Sequence, residues 1–153
     1  MSLTSEQVVL LRSSWQTIGK LGMSNVGLAV LHRLFNDVPE TLPFFHSVLS
    51  PTQQTEIEVL KSNAKVVRHA SRVGLSIDKI INLLDNGEEL VKYLLFLGQV
   101  HVKRSIPRKY FSAMGPVLLS VISAVLEKDL DAPVMQAWAT AYGVIEQGII
   151  DGM

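Results

Sequence analysis

Apolar residues recur along this chain at steps of three and four, and alternation at a period of two is almost absent. Val66, His69, Val73, Ile77, Ile80 and Leu84 form one such stripe, and Leu90, Leu94, Leu97 and His101 form another; a period near 3.6 puts each set on one face of a helix. Val8, Leu11, Trp15 and Ile18 predict a first helix, opened by a capping box of Thr4 and Gln7 and ended between Gly19 and Gly22. Ser24 is placed to cap a second helix carrying Leu31, Leu34, Phe35 and Val38, which Pro39 stops while opening a short helical turn through Phe44 and Phe45. Ser50, Pro51 and Gln53 restart the chain. A long pattern then runs from Ile57, Leu60, Ala64 and Val67 through the His69 stripe to a break at Asp85, Asn86 and Gly87.

The His101 helix follows, and Ser105, Ile106 and Pro107 form the next break. Phe111, Met114, Leu118, Ile122 and Val125 line the helix after it, which Pro116 is expected to kink or distort in its early turns. Asp131 and Pro133 open a last helix with Met135, Trp138, Tyr142, Ile145 and Ile149 on one side. No repeat, linker or low-complexity stretch interrupts the series. The pattern predicts one all-α domain over residues 1–153, with about seven or eight helices.

Two imidazoles at the ends of oily stripes need explaining. An apolar face excludes so polar a ring unless its nitrogens find partners. A lone histidine there is more often a hydrogen-bonded boundary residue than a ligand. Two of them, on consecutive helices, suit a flat iron porphyrin held between those helices, which would give each ring a partner.

Composition narrows the chemistry. The chain has 153 residues, 48% of them hydrophobic, which is enough apolar material for a sizeable core and something to surround. Fourteen basic and fourteen acidic residues give a formal charge of zero, and no basic cluster is interleaved with aromatics, so nucleic acid and anionic membrane are poor partners on this reading. There is no cysteine, which removes disulfides, thiol catalysis and cysteine-type zinc sites together. The start MSLTSEQVV lacks a basic region followed by a long apolar run, which points to the cytoplasm. Tyr110 to Leu126 approaches membrane-spanning length, but with Gly115, Pro116 and three serines it reads as a buried core helix, so no membrane span is expected.

Three segments carry a family resemblance: RLFNDVPETLPFF at 33–45, HASRVGLSID at 69–78 and LGQVHVKRSIPRKYF at 97–111. Together they resemble the globins over essentially the whole chain, and His69, with the trailing Leu75, Ile77 and Asp78, is similar to neuroglobin-like and cytoglobin-like members without a gap. Trp138 and Tyr142 resemble that subgroup as well. Asn63 to Val67 also resembles the distal segment, but that alignment leaves the stretch to His101 longer than the family uses. Gly27 and Ala70 support His69, because globins cross two helices tightly at a pair of small residues, one of them directly after the distal histidine.

The resemblance implies a globin fold around a haem b (iron protoporphyrin IX) pocket. His101 maps to the proximal iron ligand, its second ring nitrogen donating to a backbone carbonyl one turn earlier, that of Leu97. His69 maps to the distal position, binding the iron itself or hydrogen-bonding its ligand. Phe45 maps to the phenylalanine that wedges the haem. Walls would come from Leu31, Phe45 and Val73 on the distal side and from Leu97, Ile106, Phe111 and Met114 on the proximal side, while Arg72 resembles the base that meets a propionate. For these residues plain core packing, and for Arg72 a solvated surface position, are the alternatives. Val100 stands where many oxygen-storage globins have a serine, which implies simpler proximal hydrogen bonding. His46 reads as a surface histidine, and His32 is given no role.

The activity implied is reversible binding of oxygen, carbon monoxide and nitric oxide, with bis-histidyl, six-coordinate iron at rest, serving storage, transport or sensing. The alternative is a redox or electron-transfer haem protein, with nitric oxide dioxygenase-like chemistry, that draws on an external reductase. A helical interaction module without cofactor is the third class.

Overall fold

The computed structural model describes residues 3–49 and 55–153; the restart expected at Ser50, Pro51 and Gln53 lies outside them. Its elements are α1 (Ser5–Gly19), α2 (Met23–Asp37), a 3₁₀ segment (Pro39–Phe45), α3 (Ile57–Lys61), α4 (Ala64–Asn82), α5 (Gly87–Lys103), α6 (Lys109–Leu126) and α7 (Pro133–Asp151). No strand occurs among the described residues, as the three-and-four periodicity requires.

Local signals set most boundaries. Thr4 and Gln7 form the capping box of α1, with Gln7 N–H on Thr4 Oγ1 at 3.1 Å and Thr4 N–H on Gln7 Oε1 at 2.9 Å. Pro39 opens the 3₁₀ segment and Pro133 opens α7 at first-turn positions, where no N–H is needed. Two expectations need correction. Ser24 does not cap α2: the helix starts at Met23 after Gly22, whose φ is 89°, and the Ser24 hydroxyl bonds Ser71 Oγ of α4 at 2.5 Å. The long pattern ahead of His69 is not one helix either. It breaks at Asn63, which caps α4 by accepting from Lys65 and Val66 N–H and donates to the Val48 carbonyl at 2.9 Å. As for Pro116, α6 runs unbroken from Lys109 to Leu126 with that residue inside it and exposed.

Three apolar clusters hold the helices together. The first joins α1, α2, α6 and α7 through Leu11, Trp15, Ile18, Val30, Ile122 and Trp138, with the Trp138 indole donating to buried Ser14 Oγ at 2.9 Å. The second joins α2, α3 and the start of α4 through Leu31, Phe35, Leu60 and Val66. The third joins the end of α4 to α5 and α7 through Ile80, Leu90, Leu94, Ile145 and Ile149. Although α6 is long and apolar enough to cross a membrane by length and composition, it buries Phe111, Val117, Leu118, Val121 and Ile122 inside the domain.

Two helix crossings depend on small residues. A Cβ added at Gly27 of α2 would overlap the Ala70 backbone of α4, and one at Gly74 would press on the Met23 backbone one turn along the same contact. A Cβ at Gly98 of α5 would overlap the backbone of Ile149 and Gly152 of α7. These approaches fix the axes of the two helices that carry the histidines.

Candidate functional site

The helices α4 and α5 are joined by a short antiparallel turn, Leu83–Asn86, in which Asn86 caps α5 by accepting from Glu89 N–H. They meet near that turn, where Ile80 packs with Leu90 and Leu94 and the Lys79 ammonium lies 4.4 Å from the Tyr93 ring centre. Away from it they share little contact. His69 stands eleven residues before Ile80, and His101 eleven residues after Leu90. At a rise of 1.5 Å per residue each lies about 16 Å along its helix from that contact, and the charge of His101 reaches His69.

The His101 ring is oriented from two directions. Its Nδ1 lies 2.6 Å from the Leu97 carbonyl oxygen, the contact expected from the sequence, and its ring meets the edge of Phe111 with centroids 4.9 Å apart. Phe111 is itself held, its carbonyl accepting the buried Tyr142 hydroxyl at 2.5 Å. The helix ends directly after: Ser105 is left-handed at φ 58°, and the N–H groups of Arg104 and Ile106 both return to the His101 carbonyl. With Nδ1 donating to a carbonyl, Nε2 is the nitrogen left with a lone pair.

The His69 ring meets Phe45 edge-on at 5.2 Å, and Phe45 in turn meets Phe35 at 4.9 Å. Burial first, then the charges of Arg104, Arg72 and His101, push its pKa down to about 4. His69 is therefore neutral at physiological pH, the form that ligates metal or accepts a hydrogen bond. Among the described residues neither ring nitrogen of His69, nor Nε2 of His101, has a hydrogen-bond partner.

The remaining residues expected at the site divide into three groups. Phe45, Val73, Leu97, Ile106 and Met114 are half-buried, apolar side chains that the chain alone leaves partly uncovered. Phe111 is 9% exposed and packs against the His101 ring, and Leu31 is 2% exposed within the packed second cluster. Arg72 is exposed and acts on His69 through its charge. His46 is exposed at the end of the 3₁₀ segment. Sequence reasoning missed Arg104, whose charge depresses the His69 pKa more than that of Arg72. It also missed Gly98, although a glycine inside an otherwise unbroken helical pattern is a signal of close backbone approach.

The family model described as Globin matches residues 28–149, most of the chain. The protein is a globin. It is 31% identical over 143 residues to neuroglobin-1 of Oncorhynchus mykiss, covering 94% of this chain and 87% of that one. It is 24% identical over 144 residues to cytoglobin-1 of Oryzias latipes, covering 94% and 79%. Among solved structures, a hexacoordinated heme protein from an anhydrobiotic tardigrade matches the fold with a TM-score of 0.86 at 19% identity, covering 98% of this chain and 94% of that one. In this globin the donor set fits a haem: two imidazoles close enough to interact, His101 with Nδ1 held by the Leu97 carbonyl so that Nε2 is its free nitrogen, and half-buried apolar walls. It fits a bare ion poorly, since no group of three or more His, Cys, Asp or Glu side chains comes together among the described residues.

Proposed function

We propose that this globin binds haem b between α4 and α5, with His101 as proximal and His69 as distal ligand, and that it reversibly binds oxygen, carbon monoxide and nitric oxide. The observation that carries the reading is the pair itself: two interacting imidazoles on α4 and α5, His101 locked through Leu97 and His69 held neutral in a half-buried seat. When bound, the haem supplies an iron centre that takes one small ligand on its distal face and can change its charge by one electron.

The residues then divide the work. The Leu97 carbonyl fixes the His101 tautomer and raises its basicity as a donor. Phe45 and Phe111 hold the two rings edge-on, so that neither is free to tilt away. The apolar walls exclude water from the ligand side, which protects a reduced iron. His69 has two roles available to a neutral imidazole: with haem bound it would serve as a second protein ligand to the iron, or it would offer a hydrogen bond to a small bound ligand. Arg72 and Arg104, cationic and near His69, suit the carboxylates at the haem edge.

A redox role is the second reading, favoured by the presence of a usable imidazole on each side of the crevice, which suits one-electron exchange with little change in coordination. Purified protein should give a Soret band, and the ferric, ferrous and carbonyl spectra should report two histidines in the first two states and one in the third. A colourless protein that takes up no added haem would refute the reading. Slow reduction with tight reversible oxygen binding points to storage, transport or sensing. Rapid turnover of nitric oxide with a supplied reductant points to the redox role.

A further inference from the structure

A second recess lies between α1 and α4, apart from the two histidines. It is a half-open cleft of about 340 Å³, walled by Trp15 and Gly19 of α1, by Met23 at the start of α2 and by Asp78 and Ile81 of α4, with Arg12 also in its lining. Nine residues separate Asp78 from His69, about two and a half turns, so the two side chains leave α4 on opposite faces. The Trp15 indole, 6% exposed, donates to Asp78 Oδ1 at 2.8 Å, and Asn82 Nδ2 donates to Asp78 Oδ2 at 3.3 Å. Both donors are neutral. Gly19 leaves the cleft its room: a Cβ built there would meet only Met23 Cε, at an ordinary contact distance of 3.7 Å.

The charges of this cleft do not balance. Arg12 is already paired, its guanidinium 3.0 Å from Asp85 in the turn after α4. Asp78 is half-buried, and among the described residues no lysine or arginine lies within ion-pair distance of it. A carboxylate has about four acceptor sites, of which Trp15 and Asn82 use two. One negative charge is thus held in place, partly withdrawn from water and without a counter-charge, beside an indole, a thioether and an aliphatic side chain. Its size, its apolar wall and its single fixed charge are those of a small-molecule site. We propose that the cleft binds a small organic ammonium, with Asp78 accepting from the charged nitrogen and with Trp15, Met23 and Ile81 receiving an apolar body of phenyl size. An anion would meet a like charge there, and a neutral molecule would forgo the charge-assisted hydrogen bond. The inference stands apart from the haem reading, because it uses none of the residues placed at the histidines.

The test titrates the isotopically labelled, haem-loaded full chain with phenethylammonium chloride and follows the two indole N–H signals by magnetic resonance. The Trp15 signal should shift saturably, because that N–H shares Asp78 with the ligand, while the Trp138 signal, whose N–H is held by buried Ser14 Oγ, should move far less. Phenethyl alcohol, the same body with a neutral head, should bind at least about tenfold more weakly, since it lacks the charge. Asp78→Asn keeps an acceptor for the Trp15 indole and removes the charge. It should weaken the ammonium at least about tenfold and leave the alcohol unaffected. Gly19→Leu puts a side chain into the cleft and should block both compounds, with the Trp138 signal retained as a check that the fold is kept. No saturable binding, a saturable shift that spares Trp15, equal binding of the charged and neutral compounds, or undiminished binding by Asp78→Asn or by Gly19→Leu would overturn the proposal. Failure of the haem reading is seen separately, as a missing Soret band, and the same titration then runs on the chain without haem.

Discussion

The Nδ1 atom of His101 and the carbonyl oxygen of Leu97 lie 2.6 Å apart within the last turns of α5. Four residues separate them, so the helix itself supplies the acceptor, and the ring can serve as a ligand only through Nε2. Replacing His101 by glycine should therefore empty one seat without disturbing the walls around it. Haem affinity is expected to fall at least about tenfold, and added imidazole should restore the spectrum in part. Unchanged haem retention and an unchanged spectrum would remove His101 from the proximal role.

Gly27 offers a test of how α4 is placed. Alanine would favour the isolated α2 helix by about 1 kcal/mol over glycine, yet its Cβ would overlap the Ala70 backbone. Since backbone cannot swing aside as a flexible side chain does, Gly27→Ala is expected to destabilise the protein by about 1–3 kcal/mol despite the propensity gain. Urea unfolding of the ligand-free protein measures this, and a neutral or stabilising result would mean that the crossing is looser than the geometry states.

Tyr142 connects α7 to the proximal wall. Its buried hydroxyl donates to the Phe111 carbonyl, and burial, with Glu146 nearby, raises its pKa above the ordinary tyrosine range, so it remains a donor at any physiological pH. Tyr142→Phe leaves that carbonyl without its partner and should cost about 1–3 kcal/mol. Unfolding of the variant by denaturant checks the value, and the same variant should broaden the ferric spectrum by loosening Phe111 against His101.

The faces of α1 and α7 were legible in the sequence because a helix reports its period locally. Leu11, Trp15 and Ile18, and Met135, Trp138, Tyr142, Ile145 and Ile149, are all buried as their spacing requires. The His101–Leu97 contact was legible for the same reason. Ser24 misled because its hydroxyl had a better partner in Ser71, forty-seven residues away. The break before α4 was hidden because the Asn63 side chain also reaches the Val48 carbonyl, and no local pattern records that contact. Gly98 and Arg104 gain their roles only once α5 is set against α7 and α4, so spacing along the chain says nothing of them.

Acid should weaken the ligand-free protein through His69. Its pKa is about 4 when folded against an ordinary 6.5, so below pH 6.5 the unfolded chain takes up a proton that the folded one refuses. Stability is then lost as pH falls from about 6.5 towards 4, and this contribution is constant above 6.5. Paired unfolding curves of the unmodified chain and His69→Gln at pH 7 and pH 4.5 isolate the effect. The unmodified chain should lose more stability between the two. Equal losses would mean that His69 is solvated in the folded state.

The most direct test of the paired-histidine site is rapid mixing of the ferrous, haem-loaded protein with carbon monoxide. If His69 occupies the sixth position at rest, an external ligand meets only the open fraction, and its apparent dissociation constant is the intrinsic one divided by that fraction. The binding rate should then level off at high carbon monoxide, at the rate of histidine departure, and His69→Leu should remove the plateau and speed the reaction. A rate that rises in proportion to ligand in the unmodified protein, with a five-coordinate ferrous spectrum before mixing, would contradict ligation by His69.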